Sequence, residues 1–308
     1  MGSKVVRITI PKEIDNYGID ILSGLIKTEK SSFPEYELVL MQGRFEGFSP
    51  DLSIFKVEDM PLGQVRTELT YPTRIAFDFH TNTIVIYDPS TANCVIWLEN
   101  PEIYPYWAKG TPFRLGLSWI ADSFDAEFLH GALIAHEGEG FVLAGRSGAG
   151  KSTTAFAAES AGFSLLSDDY FLYEGNRMFP VYTRAKLHDS SIALLGKDFG
   201  KANLNPNVEG QKRIIDLNTN ALKKFKSGVK VNHFAIPFFD ETPGYQRTST
   251  GMILRHLAPY SLCGILGGTQ RSLLRIKRAI SDESGWILNL GTNLEDNIQS
   301  IRSILEAH

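Results

Sequence analysis

The chain has 308 residues, 43% of them hydrophobic and 21% charged, which is enough apolar material for a full core and for two domains. Its formal charge of −4 argues against nucleic acid or an anionic membrane as the principal partner. No run approaches the ~18 apolar residues of a spanning helix, and the N-terminal stretch lacks the long apolar core of a signal peptide, so a cytoplasmic protein is expected.

In chain order, Val5–Ile10 alternates as a strand does. Arg74–His80 and Thr83–Tyr87 flank a Thr81-Asn82 turn, the pattern of a hairpin, and Cys94–Leu98 is a further strand. Asn100–Pro112, rich in proline and aromatic residues, reads as a surface connection, with Tyr104, Tyr106 and Trp107 forming either a docking patch or a core anchor. Leu115–Phe124 has helical character. Residues 1–118 thus read as a β-rich N-terminal domain, and from residue 119 to 308 the pattern changes to α/β.

In that second part, Ala132–His136 is a strand and Glu137–Gly140 a turn. The apolar run Gly140–Ala144 leads into Gly145-Arg146-Ser147-Gly148-Ala149-Gly150-Lys151-Ser152, and the Ala-rich stretch from Thr153 to Ser160 is helical. Ala161-Gly162 ends the helix, and Phe163–Ser167 is a strand closing on Asp168-Asp169. So compact a strand–helix–strand unit predicts two adjacent parallel strands joined by a right-handed crossover, with both carboxyl ends at one sheet edge. Tyr170–Tyr173 and Met178–Val181 suggest a hairpin around Gly175-Asn176-Arg177. Leu254–Ile265 should be partly helical around Pro259, and Trp286–Leu290 is a strand. Leu294–Ala307 is an amphipathic helix with Ile298, Ile301 and Ile304 or Leu305 inward. Cys94 and Cys263 read as buried thiols. His188, His233 and His256 lack metal-ligand spacing, and Lys223–Lys230 reads as a solvated basic face.

Residues Gly145–Ser152 spell G-x-x-x-x-G-K-[ST], the phosphate-binding P-loop, between a strand and a helix as the motif requires. There, backbone N–H groups and the positive helix end converge on phosphate oxygens. Lys151 reaches the β- and γ-phosphates, and the Ser152 hydroxyl is a ligand for Mg²⁺, so ATP and Mg are the expected cofactors. Asp168 and Asp169 arrive beside this loop. Phosphoryl transfer needs charge neutralisation and a group that positions or deprotonates the nucleophile, and a carboxylate pair supplies both.

His130-Gly131-Ala132-Leu133, then the glycine loop, then Leu165-Leu166-Ser167-Asp168-Asp169, together resemble the catalytic domain of the HPr kinase/phosphorylase family and its relatives. These share the nucleotide fold of phosphoenolpyruvate carboxykinase. The resemblance is tight over about forty residues in these motifs, looser from about residue 125 to the C-terminus, and silent on residues 1–118. It implies an ATP-dependent serine kinase. In it Gly145, Arg146, Ser147, Gly148, Ala149, Gly150, Lys151, Ser152 and Thr153 bind the phosphates, with Lys151 on the transferred group. Asp168 would be the general base, Ser152 and Asp169 would hold the metal, and His130 would lie near the reacting phosphates. Family members often form hexamers or smaller oligomers, so a homo-oligomer is implied too.

The family's acceptor signature of the E-I-R-G-x-G type has no match here. In its place, Arg184-Ala185-Lys186-Leu187-His188-Asp189-Ser190 resembles the R-x-K-L-x-x-D-S region of homologues outside the HPr pathway, such as kinases of lasso-peptide precursors. Arg184 and Lys186, alternate on an extended segment, share one face and are candidates to meet phosphate. The expected acceptor is therefore the hydroxyl of a peptide or protein, a precursor peptide among the candidates, with the N-terminal domain a candidate for recognising it. A small-molecule hydroxyl kinase and a non-catalytic ATP-binding regulator are the alternatives.

Overall fold

A computed structural model describes residues 1–9, 25, 34–42, 65–70, 73–78, 81–98, 104–199, 212–262, 270–280 and 283–307. Over these the chain is mixed α/β, with several sheets and seven α-helices among the described residues. It divides into two compact units, Ser3–Asp125 and Ala126–Gly264 with Gly268–His308. Among the described residues no helix is long and apolar enough to cross a membrane.

The first unit carries β1 (Val6–Thr9), β2 (Tyr36–Gln42), β3 (Val65–Thr70), β4 (Thr73–Asp78), β5 (Thr83–Asp88) and β6 (Asn93–Leu98) in one sheet, ordered β1-β2-β6-β5-β4-β3. The expected hairpin is β4–β5, antiparallel, with Asn82 at a positive φ that asparagine tolerates. Helix α1 (Arg114–Asp122) buries Leu115, Leu117, Trp119 and Ile120, and Arg74 bonds Asp122 at 2.6 Å. The stretch before α1 was expected at the surface. Its described part instead buries Tyr104, Ala108 and Phe113, with the two aromatic rings 6.4 Å apart. The apolar area of those side chains draws the segment inward, so Tyr104 is an anchor. Cys94 is buried, which pushes its thiol up to about 12. Phe79, His80, residues 100–103, Cys263 and Ile265 lie outside the described residues.

The second unit contains β7 (Glu127–His130), β8 (Ala132–His136), β9 (Glu139–Leu143), helix α2 (Lys151–Ser160), β10 (Ser164–Ser167), β11 (Tyr170–Glu174) and β12 (Arg177–Phe179). After these come β13 (Arg184–Leu187), α3 (Asp189–Leu195), β14 (Arg213–Asp216), α4 (Thr219–Lys224), β15 (Lys230–Phe239) and β16 (Gly244–Arg247). The unit closes with α5 (Thr250–Leu262), α6 (Gln270–Ala279), β17 (Gly285–Leu290) and α7 (Leu294–Glu306).

Its main sheet runs β10-β8-β9-β15-β17-β16. This corrects the expectation that the strands on either side of α2 are neighbours. The β8–β9 hairpin pairs antiparallel, and β10 pairs antiparallel with β8, so β8 stands between β9 and β10. Two antiparallel steps leave β9 and β10 running the same way, and their carboxyl ends still share one edge. The expected β11–β12 hairpin is present, as is α7, which buries Ile298, Ile301 and Ile304. Helix α5 is longer than expected and contains Pro259 within it. The core gathers Leu133, Val142, Phe234 and Ile236 from one face of the sheet, with Ile253 of α5 and Ile276 of α6. Lys223, Lys224, Lys226 and Lys230 are exposed, a solvated basic face.

Candidate functional site

At the carboxyl edge of the main sheet, β9 releases the chain into the glycine loop. Lys151 is 7% exposed, and its ammonium donates to the carbonyls of Gly145 at 2.7 Å and Arg146 at 2.9 Å. Burial lowers its pKa, opposed by the charges of Asp168 and Asp169. Gly150 occupies the N-cap of α2 with φ +92, and no side chain caps that helix. A Cβ there would stand 2.6 Å from Leu290 Cδ1, so only glycine serves. An uncapped first turn leaves N–H donors and the positive helix end facing outward, the arrangement that receives an anion.

The two carboxylates meet the loop at different places. Asp168, 2% exposed, accepts from the Ser152 hydroxyl at 2.6 Å and from the Lys186 backbone N–H at 3.2 Å. Burial and the neighbouring Asp169 charge raise its pKa against those two hydrogen bonds. Asp169 takes a positive φ of 85, and its carboxylate meets the Lys186 ammonium at 2.5 Å. Burial works against its ionisation but is outweighed by Lys186 and His130, and the carboxyl is held well below the usual carboxylate range.

The His130-Gly131 pair sits at the junction of β7 and β8. Gly131 donates its N–H to the Asp169 carbonyl at 2.9 Å, and a Cβ on it would lie 2.6 Å from the Leu143 carbonyl oxygen. A side chain at residue 131 would thus push apart the end of β9 and the carboxylate turn. The His130 ring packs edge-on against Tyr170, and its backbone N–H donates to Ser261 Oγ at 3.0 Å.

Many of these groups line one cavity of about 270 Å³; Asp168, Gly145, Arg146 and Ala149 are not among its lining residues. Its walls include His130, Ser152, Asp169 and Lys186 from the sequence-derived set, with Ser147, Gly148, Gly150, Lys151 and Thr153 of the loop. Arg184 is not among its lining residues; its guanidinium lies 3.3 Å from Asp216, its cross-strand partner on β14. Leu187, His188, Ser190 and Ser191 of the segment that follows Lys186 also line it, as do Lys212 and Phe239, which the sequence did not single out for this site. Lys212 acts electrostatically on Lys151, Asp168 and Asp169. A larger hollow of about 460 Å³ lies between α2 and α7, but neither the glycine loop nor the carboxylate pair lines it.

Among the described residues no group of three or more His, Cys, Asp and Glu gathers to hold a metal on its own. Ser152 and Asp168 offer oxygen donors side by side, a set that would suit Mg²⁺, a cation that takes oxygen ligands and keeps several waters. Neither a protein-family model nor a curated protein matches the chain, so a functional reading stands on these residues and their geometry.

Proposed function

We propose that the protein is an ATP- and Mg²⁺-dependent kinase that transfers the γ-phosphoryl group to a hydroxyl, serine first, on a peptide or protein. The observation that carries this reading is the 2.6 Å hydrogen bond from Ser152 to Asp168. It joins the phosphate-binding loop to the carboxylate strand end, the junction that metal-assisted phosphoryl transfer needs. ATP supplies the group transferred, and magnesium neutralises its charge.

The geometry supports a division of labour between the carboxylates opposite to the one the family resemblance implies. Asp168 is bonded to Ser152 and is not among the residues that line the cavity, whereas Asp169 is. A base must come within hydrogen-bond reach of the proton it removes, and lining the cavity favours Asp169 on that count, against the lower basicity that its pairing with Lys186 imposes. The acceptor hydroxyl gives its proton to Asp169 while its oxygen bonds to the γ-phosphorus. The bond to the β–γ bridging oxygen breaks, and ADP leaves. Lys151 and Lys186 both line the cavity and would supply positive charge against the migrating negative charge.

Cavity size bears on the acceptor. About 270 Å³ lies below the roughly 300–1,000 Å³ that encloses a whole small ligand. That room suits phosphates and one reacting hydroxyl better than a nucleotide together with an enclosed second molecule. A hydroxyl presented from outside, on a larger chain, fits it.

The test is transfer of label from γ-labelled ATP, with Mg²⁺, to serine-containing peptides and, in parallel, to free serine, threonine and homoserine. Label on peptides, lost in Lys151→Ala together with ATP binding, is the expected result. Label confined to free amino acids would instead establish a small-molecule kinase. ATP binding without transfer to any acceptor would favour a regulator.

A further inference from the structure

We propose that Phe239 is the nucleobase platform of this site, the surface on which the base of the bound nucleotide stacks. The inference rests on the kinase reading above and assigns a part of the site that neither the P-loop nor the carboxylates explain.

Phe239 ends β15, which pairs with β9 on one side and β17 on the other. Its backbone lies opposite Leu290, and the next N–H, that of Asp240, donates to the Leu290 carbonyl at 3.0 Å. The ring is thus mounted on a rigid element. Its far edge reaches the loop: a Cβ on Gly150 would stand 3.3 Å from Phe239 Cζ and 3.8 Å from Cε1. Even so, the residue is 71% exposed, the most exposed of the large hydrophobic side chains described, and it lines the cavity beside Gly148 and Gly150. Its neighbour Phe238 makes the contrast, because that ring meets His256 edge-on at 5.6 Å.

One exposed aromatic residue alone says nothing about function. Its position gives it meaning. Phosphates seated on the uncapped turn of α2 leave the sugar and base projecting outward past the loop. Phe239 touches the last glycine of that loop and offers an aromatic face there. Two of the lysines lining the cavity, Lys186 and Lys212, stand on or next to β13 and β14. The base therefore meets an aromatic face, and the triphosphate meets the charges. Stacking of a base on an aromatic side chain corresponds to about 5- to 150-fold in affinity, and it tolerates any base because every base has a π-face.

The experiment measures binding of Mg·ATP, Mg·GTP and inorganic triphosphate to the full-length protein and its Phe239→Ala and Phe239→Tyr variants by titration calorimetry. Phe239→Ala should lose affinity for ATP and GTP alike, within the 5- to 150-fold range, and bind triphosphate as the unaltered protein does. Phe239→Tyr should restore both nucleotides. An equal loss for triphosphate would mean that the ring only shapes the loop, and no loss for ATP would mean that the base lies elsewhere; either result overturns the proposal. If the unaltered protein binds neither ATP nor triphosphate, the kinase reading falls and takes this inference with it. If it binds both and only the variant pattern is wrong, the kinase reading stands.

Discussion

Replacing Asp168 and Asp169 in turn by asparagine should move stability in opposite directions while removing the same reaction. Burial and the repulsion of Asp169 outweigh the two hydrogen bonds that Asp168 accepts, so the folded protein disfavours its charge. Asparagine removes the charge and can keep both partners, since a serine hydroxyl donates or accepts equally well. Asp168→Asn should therefore unfold at or slightly above the temperature of the unaltered protein, by roughly 0–4 °C. For Asp169, burial is outweighed by Lys186 and His130, so the fold favours its charge. The Asp169–Lys186 pair is 14% and 16% exposed, between the surface pairs worth about 0–1 kcal/mol and the buried ones worth about 3–5. Loss of about 1–3 kcal/mol lowers the unfolding temperature by roughly 2–10 °C. Asparagine also tolerates the positive φ at residue 169, so backbone strain does not enter. The sign of the pH dependence follows. The Asp169 contribution is fully present above the ordinary carboxylate pKa of about 3.9 and is lost as pH falls through its lower folded value. The Asp168 penalty fades as pH falls through its raised folded value towards about 3.9. The assay is thermal unfolding followed by circular dichroism at pH 7 and pH 4.5 without nucleotide, alongside transfer of γ-label, which should fall by about 10²–10⁴ in Asp169→Asn. Shifts of the same sign and size in both variants at pH 7 would refute the electrostatic division between the two carboxylates.

Two more outcomes follow from the loop. Gly150→Ala forces a side chain into a positive φ and to within 2.6 Å of Leu290 Cδ1, so it should lose about 1–3 kcal/mol in a denaturant titration and weaken nucleotide binding in the same preparation. Ser152→Ala removes the hydroxyl bonded to Asp168 but leaves the backbone cradle intact. Magnesium should then no longer strengthen ATP binding in calorimetry, while binding of ATP without the metal stays near normal; a full magnesium response would dissociate Ser152 from the metal.

The glycine loop was legible because its chemistry is local. Fixed glycines, a lysine and a serine sit within eight consecutive residues, between a strand and a helix. Asp168-Asp169 was legible because a strand end after a compact crossover has only one edge to reach. The position of β8 was not legible, since periodicity identifies strands without saying which ones pair. Lys212 and Phe239 come from segments remote in sequence, and only the sheet order brings them to the loop. Phe239 had a signal nonetheless, in the apolar run Phe234-Ala235-Ile236-Pro237-Phe238-Phe239, where Pro237 argues against a central strand. The structure shows why the proline is tolerated. The last β9 partner of β15 is Ala235, after which the chain of β9 leaves into the loop, so the missing N–H of Pro237 takes no bond from a neighbouring strand on that side. Alternation puts Arg184 on the same face as Lys186, and the sequence gives no sign of its cross-strand neighbour Asp216, beside which its guanidinium lies.

The hairpin whose strand β8 separates β9 from β10 also bears on the order in which the site is assembled. Strands β8 and β9 are joined by a two-residue turn, Glu137-Gly138, and so can pair with almost no loop to close, on the microsecond scale of isolated hairpins. The pairings of β15 with β9 and with β17 span far longer loops and form later. Once the hairpin exists, one of its strands carries the loop that receives phosphate, and the other offers the edge on which β10 and its carboxylates dock. The short-range step thus lays down the template, and the slower steps bring the remaining walls of the cavity to it.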